Sequence, residues 1–224
     1  MHNENSSKRK KTPWPTKKAM AQIYEQNLWG ANGDLFYSGD GSHKEAIITP
    51  YIKKVSEFLD SFEKPITVCD LGCGDFNIGK QLVAKTSRYI AVDIVPKLID
   101  YNKTQFSQAN VKFECLDIAK DRLPTADCVL IRQVLQHLSN AEVHEVVKKI
   151  KQYKYVILTE HIPNGDFVPN IDIISGQGIR IKKKSGLDLM KPPFDLKAAK
   201  LTELISLDLE GSRGCIKTVL YQMF

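Results

Sequence analysis

Ile66-Thr67-Val68-Cys69-Asp70-Leu71-Gly72-Cys73-Gly74-Asp75 is the stretch on which the fold turns. Its first six residues are short and apolar enough for a buried strand, and Asp70 ends the run beside two glycines spaced by one residue. Small residues are needed where a backbone turns sharply and passes close to a ligand. A strand end followed by the first turn of a helix is the ligand-binding corner of a doubly wound sheet. An isolated Gly-x-Gly after a strand is also compatible with a plain structural turn, so the surroundings decide.

Downstream, strand and helix patterns alternate. Apolar runs at Tyr89–Asp93, Val111–Leu116, Cys128–Ile131 and Tyr155–Glu160 read as strands. Helical patterns fit near Gly79–Ala84, Pro96–Phe106 and Asn140–Gln152. Such alternation predicts a parallel sheet covered on both faces, wound by right-handed crossovers. The rhythm breaks over residues 162–200, rich in Gly, Pro, Asn and Asp, where a helix between the fifth and sixth strands is expected. Leu201–Leu209 and Cys215–Phe224 then form two strand-like runs joined by Glu210-Gly211-Ser212-Arg213-Gly214, a hairpin. The prediction is an α/β fold: a doubly wound, mostly parallel seven-stranded sheet with a C-terminal antiparallel hairpin. Residues 19–63 add an N-terminal helical cap, with one pattern through Met20, Ile23, Tyr24 and Leu28 and a second from about Glu45 to Phe62. Residues 64–224 form the main domain, with 162–200 as an insertion, and residues 1–18 a disordered basic leader. There is no internal repeat.

Three acids close three successive strands: Asp70, Asp93 and Asp117. One such acid is explained by a helix cap or a turn; three in register favour a ligand. Asp93 lies about 20 residues beyond Gly72, where a carboxylate accepts both hydroxyls of a ribose. Asp117 is placed to meet an adenine edge. An NAD site fits less well, because its third small residue would fall at Asn77.

Val68–Phe76 resembles the first motif of class I S-adenosylmethionine-dependent methyltransferases. Asp93, Asp117 and Asp127–His137 resemble the next three. The resemblance covers Pro65–His161, and the terminal hairpin extends it to Phe224. It implies S-adenosylmethionine as cofactor and S-adenosylhomocysteine as product. Gly72 and Gly74 would face the methionine part, Asp70 its ammonium side, Asp93 the ribose, and Asp117 with Ile118 the adenine. Phe76 departs from the pattern, since the family often has glycine there. Upstream, Asn27-Leu-Trp-Gly30 and Tyr37-Ser-Gly-Asp-Gly-Ser42 are similar to elements preceding the first motif in some small bacterial methyltransferases. The implied role is a lid, with Ser42 and then Trp29 as cofactor contacts; a helix–helix connector with Trp29 as core anchor is the alternative.

The resemblance also implies that the end of the fourth strand faces the transferable methyl group. That puts Arg132, Gln133, Gln136 and His137 near the acceptor, with Arg132 assigned to the cofactor side as well. His137 is a candidate general base, because imidazole titrates near neutrality; a buried packing histidine is the alternative. Glu160 and His161, closing the fifth strand, are further catalytic candidates, or caps of the loop that follows. Asp172 and Arg180 of the insertion are candidate substrate contacts. Lys182-Lys-Lys184 is an anion site or a solvated charge run. Pro192-Pro193-Phe194 resembles the motif of amino-group methyltransferases but stands after the wrong strand.

The whole chain of 224 residues carries +6. Six basic residues against Glu4 in residues 1–18 leave only +1 on the remaining 206. A near-neutral body argues against a broad phosphate-binding face. The five cysteines have no paired spacing, so neither a metal site nor a disulfide framework is expected, and thiols of this kind suit the cytosol. No apolar run is long enough for a bilayer, so no membrane partner is expected. The expected activity is methyl transfer to an O or N atom of a small molecule or glycan precursor. The alternatives are a nucleic-acid or protein methyltransferase guided by the leader, and a non-catalytic nucleotide-binding protein on the same fold.

Overall fold

The computed structural model describes residues 13–208 and 214–224. Residues 1–12 of the expected leader and most of the hairpin turn lie outside them. Helix α1 (Thr16–Glu25) begins directly after Pro15. Lys17 and Lys18, read as leader, are therefore helical, while Leu28 falls beyond the helix and is exposed. Helix α2 (Glu45–Asp60) follows a short turn at Asp40–Ser42.

The strands are β1 (Thr67–Leu71), β2 (Arg88–Asp93), β3 (Val111–Cys115), β4 (Cys128–Arg132), β5 (Tyr155–Pro163), β6 (Lys200–Asp208) and β7 (Gly214–Gln222). Between them lie α3 (Gly79–Leu82), α4 (Pro96–Gln105) and α5 (Asn140–Ile150). They form one seven-stranded sheet in the order β3-β2-β1-β4-β5-β7-β6. The first five strands pair parallel, and β7 pairs antiparallel with both β5 and β6. No helix among the described residues is long and apolar enough to cross a membrane.

Period-two alternation divides the strands between two cores. Cys69, Leu71, Val92, Val129, Ile131 and Val156 face the side of α1 and α5. Val68, Tyr89, Leu130 and Ile157 face α2, which presents Tyr51, Val55 and Leu59. Helix α5 is fixed at its start by a capping box between Ser139 and Glu142. The insertion holds one short turn, Arg180–Lys183, and no longer helix. It still contributes Leu187, Leu189, Phe194 and Leu196 to the first core, in the slot a helix would have filled. Phe194 of the Pro-Pro-Phe run is thus a packing residue.

Phe76, the departure from the family pattern, has φ 63°. A non-glycine residue in the left-handed region is strained, and burial of its ring offsets this. The ring is fully buried, edge-on to Tyr89, Phe106 and Phe113 at centroid distances of 5.7, 5.1 and 4.8 Å. Phe76→Ala is therefore expected to lower stability by about 3–5 kcal/mol. Phe76→Gly should be no less stable than the alanine variant, because glycine accepts the backbone angle. Chemical denaturation of the two variants checks both.

Candidate active site

The turn after β1 is built from its backbone. The N–H groups of Gly72 and Cys73 both donate to the Val92 carbonyl, at 2.8 and 2.9 Å, which ties the turn to the end of β2. Gly72 and Gly74 have φ values of 86° and 55°. A side chain at either would run into Val134 or Ser38. Asp93 accepts from Gly74 N–H at 3.2 Å and from Val95 N–H at 3.0 Å. Asn102, fully buried, donates to the Gly74 carbonyl at 2.8 Å.

The turn floors a cavity of about 470 Å³, within the usual range for small-ligand sites. Every residue read as a cofactor contact lines it: Trp29, Ser42, Asp70, Gly72, Gly74, Asp93, Asp117, Ile118 and Arg132. Gln133, Gln136 and His137 line it too. Burial pushes the Asp93 carboxyl up to about 6 and that of Asp70 up to about 7. Asp70 has one partner, the Tyr89 hydroxyl at 2.8 Å. Asp117 accepts from Ala119 N–H at 3.0 Å, and Ile94, Leu116 and Ile118 form an apolar wall with it.

The segment 37–43 is pinned from two sides. Ser38 and Asp75 exchange hydrogen bonds: Ser38 N–H donates to the Asp75 carboxylate at 2.7 Å, and Asp75 N–H donates to Ser38 Oγ at 2.8 Å. His43 pairs with the same carboxylate at 2.6 Å, and Tyr24 Oη lies 3.0 Å from Ser38 Oγ. Asn77 donates to the Ser42 carbonyl at 2.7 Å. From the opposite side Arg132 donates to the Gly41 carbonyl at 2.5 Å and to Ser42 Oγ at 3.4 Å, with its guanidinium 5.0 Å over the Tyr51 ring. Arg132 Nε is buried without a partner. Sequence reading missed Ser38, Asp75, Tyr24 and Asn102. Ser38 stood inside the motif where Ser42 was preferred; for Asp75 the partner His43 is too distant in sequence to be read.

His137 sits against the cavity, but both ring nitrogens are engaged. Nδ1 is 3.0 Å from the Gly176 carbonyl and Nε2 is 3.3 Å from the Gln136 amide nitrogen. The carbonyl requires Nδ1–H, which leaves Nε2 as the acceptor. Its ring meets Trp29 at 5.2 Å, and burial lowers its pKa to about 4.

Four candidates do not line the cavity. Glu160 is 3% exposed and accepts from the N–H groups of Leu135 and Gln136, at 3.0 and 3.2 Å. Arg180, 1% exposed, grips the same segment by its carbonyls, donating to Leu135 at 3.1 Å and Leu138 at 2.8 Å. Carboxylate and guanidinium together immobilise the turn that carries Gln136 and His137, so neither is turned to a ligand. Asp172 is exposed and accepts from Asn140 N–H at 2.7 Å, at the start of α5. His161 lies along the β5–β7 ladder, and its N–H donates to Gln136 Oε1 at 2.9 Å.

Residues 68–153 match the family model described as a methyltransferase domain. A malonyl-[acyl-carrier protein] O-methyltransferase of Acetivibrio thermocellus is 32% identical over an alignment of 126 residues that covers 52% of this chain and 44% of that protein. The match thus spans less than half of that relative. Among solved structures, the N-methyltransferase NodS of Bradyrhizobium japonicum, in complex with S-adenosylhomocysteine, has a TM-score of 0.63 at 12% identity, covering 91% of this chain and 98% of that one. Magnesium protoporphyrin IX methyltransferase of Synechocystis PCC 6803, with bound S-adenosylmethionine, gives 0.56 at 15% identity, covering 95% and 100%. These structural likenesses establish the fold.

The buried carboxyls give a sign for stability against pH. Glu160 is pushed by burial from 4.5 up to about 8, despite its two N–H donors. A raised acid binds more protons folded than unfolded, so its contribution is full at low pH and is lost as pH rises through the folded value. Asp70 and Asp93 act in the same direction. His137, lowered, has the opposite sign but acts only below its ordinary 6.5. Between pH 6.5 and 8 the melting temperature is therefore expected to fall as pH rises. Glu160→Gln should flatten that slope; calorimetric scans across the interval check it.

Proposed function

We propose that this chain, which carries a class I S-adenosylmethionine-dependent methyltransferase domain, transfers a methyl group to an O or N atom of a small molecule or glycan precursor. One observation carries the reading. A single cavity joins three strand-end carboxylates to a guanidinium with a buried, unpartnered Nε. That donor set fits the cofactor. Asp70 and Arg132, opposite charges close enough to influence each other's titration, match a zwitterionic amino-acid end. Asp93 keeps lone pairs for ribose hydroxyls after its two backbone donors, since a carboxylate offers about four acceptor sites. The apolar wall beside Asp117 suits a purine.

The bound sulfonium supplies an already activated methyl group, and the protein supplies position and electrostatics. Arg132 and Ser42 hold the lid across the amino-acid end. The braced turn at Gln136 and His137 fixes the wall on the acceptor side. His137 serves in this reading as a neutral wall, because its lone pair is engaged and its basicity is low. The Acetivibrio relative makes a carrier-bound malonyl group one acceptor chemistry to test, although the shared region is under half of that protein.

Calorimetry with S-adenosylhomocysteine is expected to give one site, with NAD giving none; the reverse would overturn the reading. Asp93→Ala should weaken that binding by about 2–4 kcal/mol, the worth of two charge-assisted hydrogen bonds. His137→Gln should lower the melting temperature while turnover stays within about tenfold, against the 10²–10⁴-fold loss typical when a general base is removed.

A further inference from the structure

Helical spacing with Val55 and Leu59 makes Tyr51 a packing residue of α2, and its ring belongs to the second core. Its polar end has no such explanation. Tyr51 is only 2% exposed, yet it lines the cavity beside Asp70 and Arg132. Among the described residues its hydroxyl makes no hydrogen bond. A buried phenol ordinarily finds a partner for its O–H, and a donor left without one has lost its water for nothing. Packing alone would be served by phenylalanine.

The neighbours define the partner that is missing. The Arg132 guanidinium lies 5.0 Å over the centre of the Tyr51 ring. Its terminal nitrogens donate to Gly41, Ser42 and Gln133, whereas its Nε is buried with no partner. Burial above all, then the nearby charges of Arg132 and Asp70, sets the titration of the Tyr51 phenol, and the balance raises its pKa. The hydroxyl therefore keeps its proton at neutral pH. Asp70 does not take that proton as a hydrogen bond, since its carboxyl accepts from the Tyr89 hydroxyl at 2.8 Å. Two unsatisfied donors, one O–H and one cationic N–H, thus stand together at the Asp70 end of the cavity. The pair lacks an acceptor oxygen. An anionic oxygen suits it best, because hydrogen bonds to an ionised partner are the stronger ones.

We propose that the Tyr51 hydroxyl is a cofactor-binding group, which donates with Arg132 Nε to the carboxylate of the amino-acid end while Asp70 takes its ammonium. The inference rests on the methyltransferase reading above and adds to it a residue that helical periodicity assigns to the core. One side chain then has three separable tasks. Its ring fills the core, the face of the ring carries the guanidinium, and the hydroxyl recognises the ligand. Phenylalanine keeps the first two and removes the third.

The test compares the full chain with Tyr51→Phe by calorimetry, using three ligands. S-adenosylhomocysteine carries both charged groups, its decarboxylated analogue carries the amine alone, and methylthioadenosine carries neither. Failure of the unaltered chain to bind S-adenosylhomocysteine removes the methyltransferase reading itself. Without ligand, Tyr51→Phe is expected to melt no lower than the parent, because it deletes a buried hydroxyl that had no protein partner. Its affinity for S-adenosylhomocysteine is expected to fall by about tenfold or more, as for a lost hydrogen bond to a charged group. Its affinities for the other two ligands are expected to stay as they are in the parent. Unchanged binding of S-adenosylhomocysteine overturns the proposal while leaving the methyltransferase reading intact. An equal loss for all three ligands makes the hydroxyl a structural group and overturns it as well. A loss shared by S-adenosylhomocysteine and the decarboxylated analogue, with methylthioadenosine unaffected, assigns the hydroxyl to the ammonium side and overturns the carboxylate assignment.

Discussion

The turn from Gly72 to Phe76 can exist only because the end of β2 holds it. Three consecutive alternate positions, Gly72, Gly74 and Phe76, take left-handed backbone angles. That arrangement leaves amide groups pointing away from any regular ladder. The Val92 carbonyl and the Asp93 carboxylate collect three of these N–H groups, and Asn102 from α4 caps the Gly74 carbonyl. The strand that is proposed to hold the ribose is therefore the strand that shapes the loop proposed to face the methionine part of the cofactor. Parallel pairing of β1 with β2 sets this up, since it brings Leu71 level with Val92 and places both strand ends on one edge. The segment 37–43 depends on the same turn in its own way. Ser38 and Asp75 are joined by two reciprocal hydrogen bonds, so the segment keeps its place only while the turn keeps this shape.

This dependence explains what was legible in the sequence. The sheet was, because each central strand is a short apolar run bounded by an acid or a glycine, and local periodicity reports burial directly. The lining of the cavity was legible for a related reason: most of the residues named for it sit at strand ends, and strand ends are fixed once the strands are. Four candidates placed beyond it were not, because they stand outside the cavity. Glu160, Arg180 and Asp172 carry charges suited to a ligand, yet each serves the backbone. Glu160 and Arg180 satisfy opposite sides of the turn 135–138, and Asp172 serves the start of α5. Such roles come from loop conformation, which no periodicity encodes. Asn102 was hidden for a further reason, since a polar residue inside a helical pattern normally reads as solvent-facing.

The insertion shows how an irregular segment can replace a helix without loss of the core. Leu187, Leu189, Phe194 and Leu196 occupy the first hydrophobic core. Asn170, also buried, binds the segment to itself: its amide donates to the Asp188 and Pro192 carbonyls, at 2.8 and 2.9 Å, and its carbonyl accepts from Asp188 N–H at 2.9 Å. A helix in the same place would have satisfied its own backbone and exposed little of it. The irregular segment instead delivers backbone carbonyls and a guanidinium to the turn at the fourth-strand end. Gly176 and Arg180 are its two points of attachment there.

The division of charge in the cavity follows from the same architecture. Parallel strands ending at one edge bring their terminal acids together, and each acid is tolerated only where something nearby donates to it. Asp93 draws on backbone N–H groups, Asp70 on the Tyr89 hydroxyl, Glu142 on three hydroxyl-bearing residues, and Asp40 and Asp117 on Lys44 and Lys120. Neutral donors satisfy the lone pairs but do not cancel the charge. Lysines do cancel it at Asp40 and Asp117, and at Asp70 and Asp93 burial instead pushes the carboxyls toward their neutral forms.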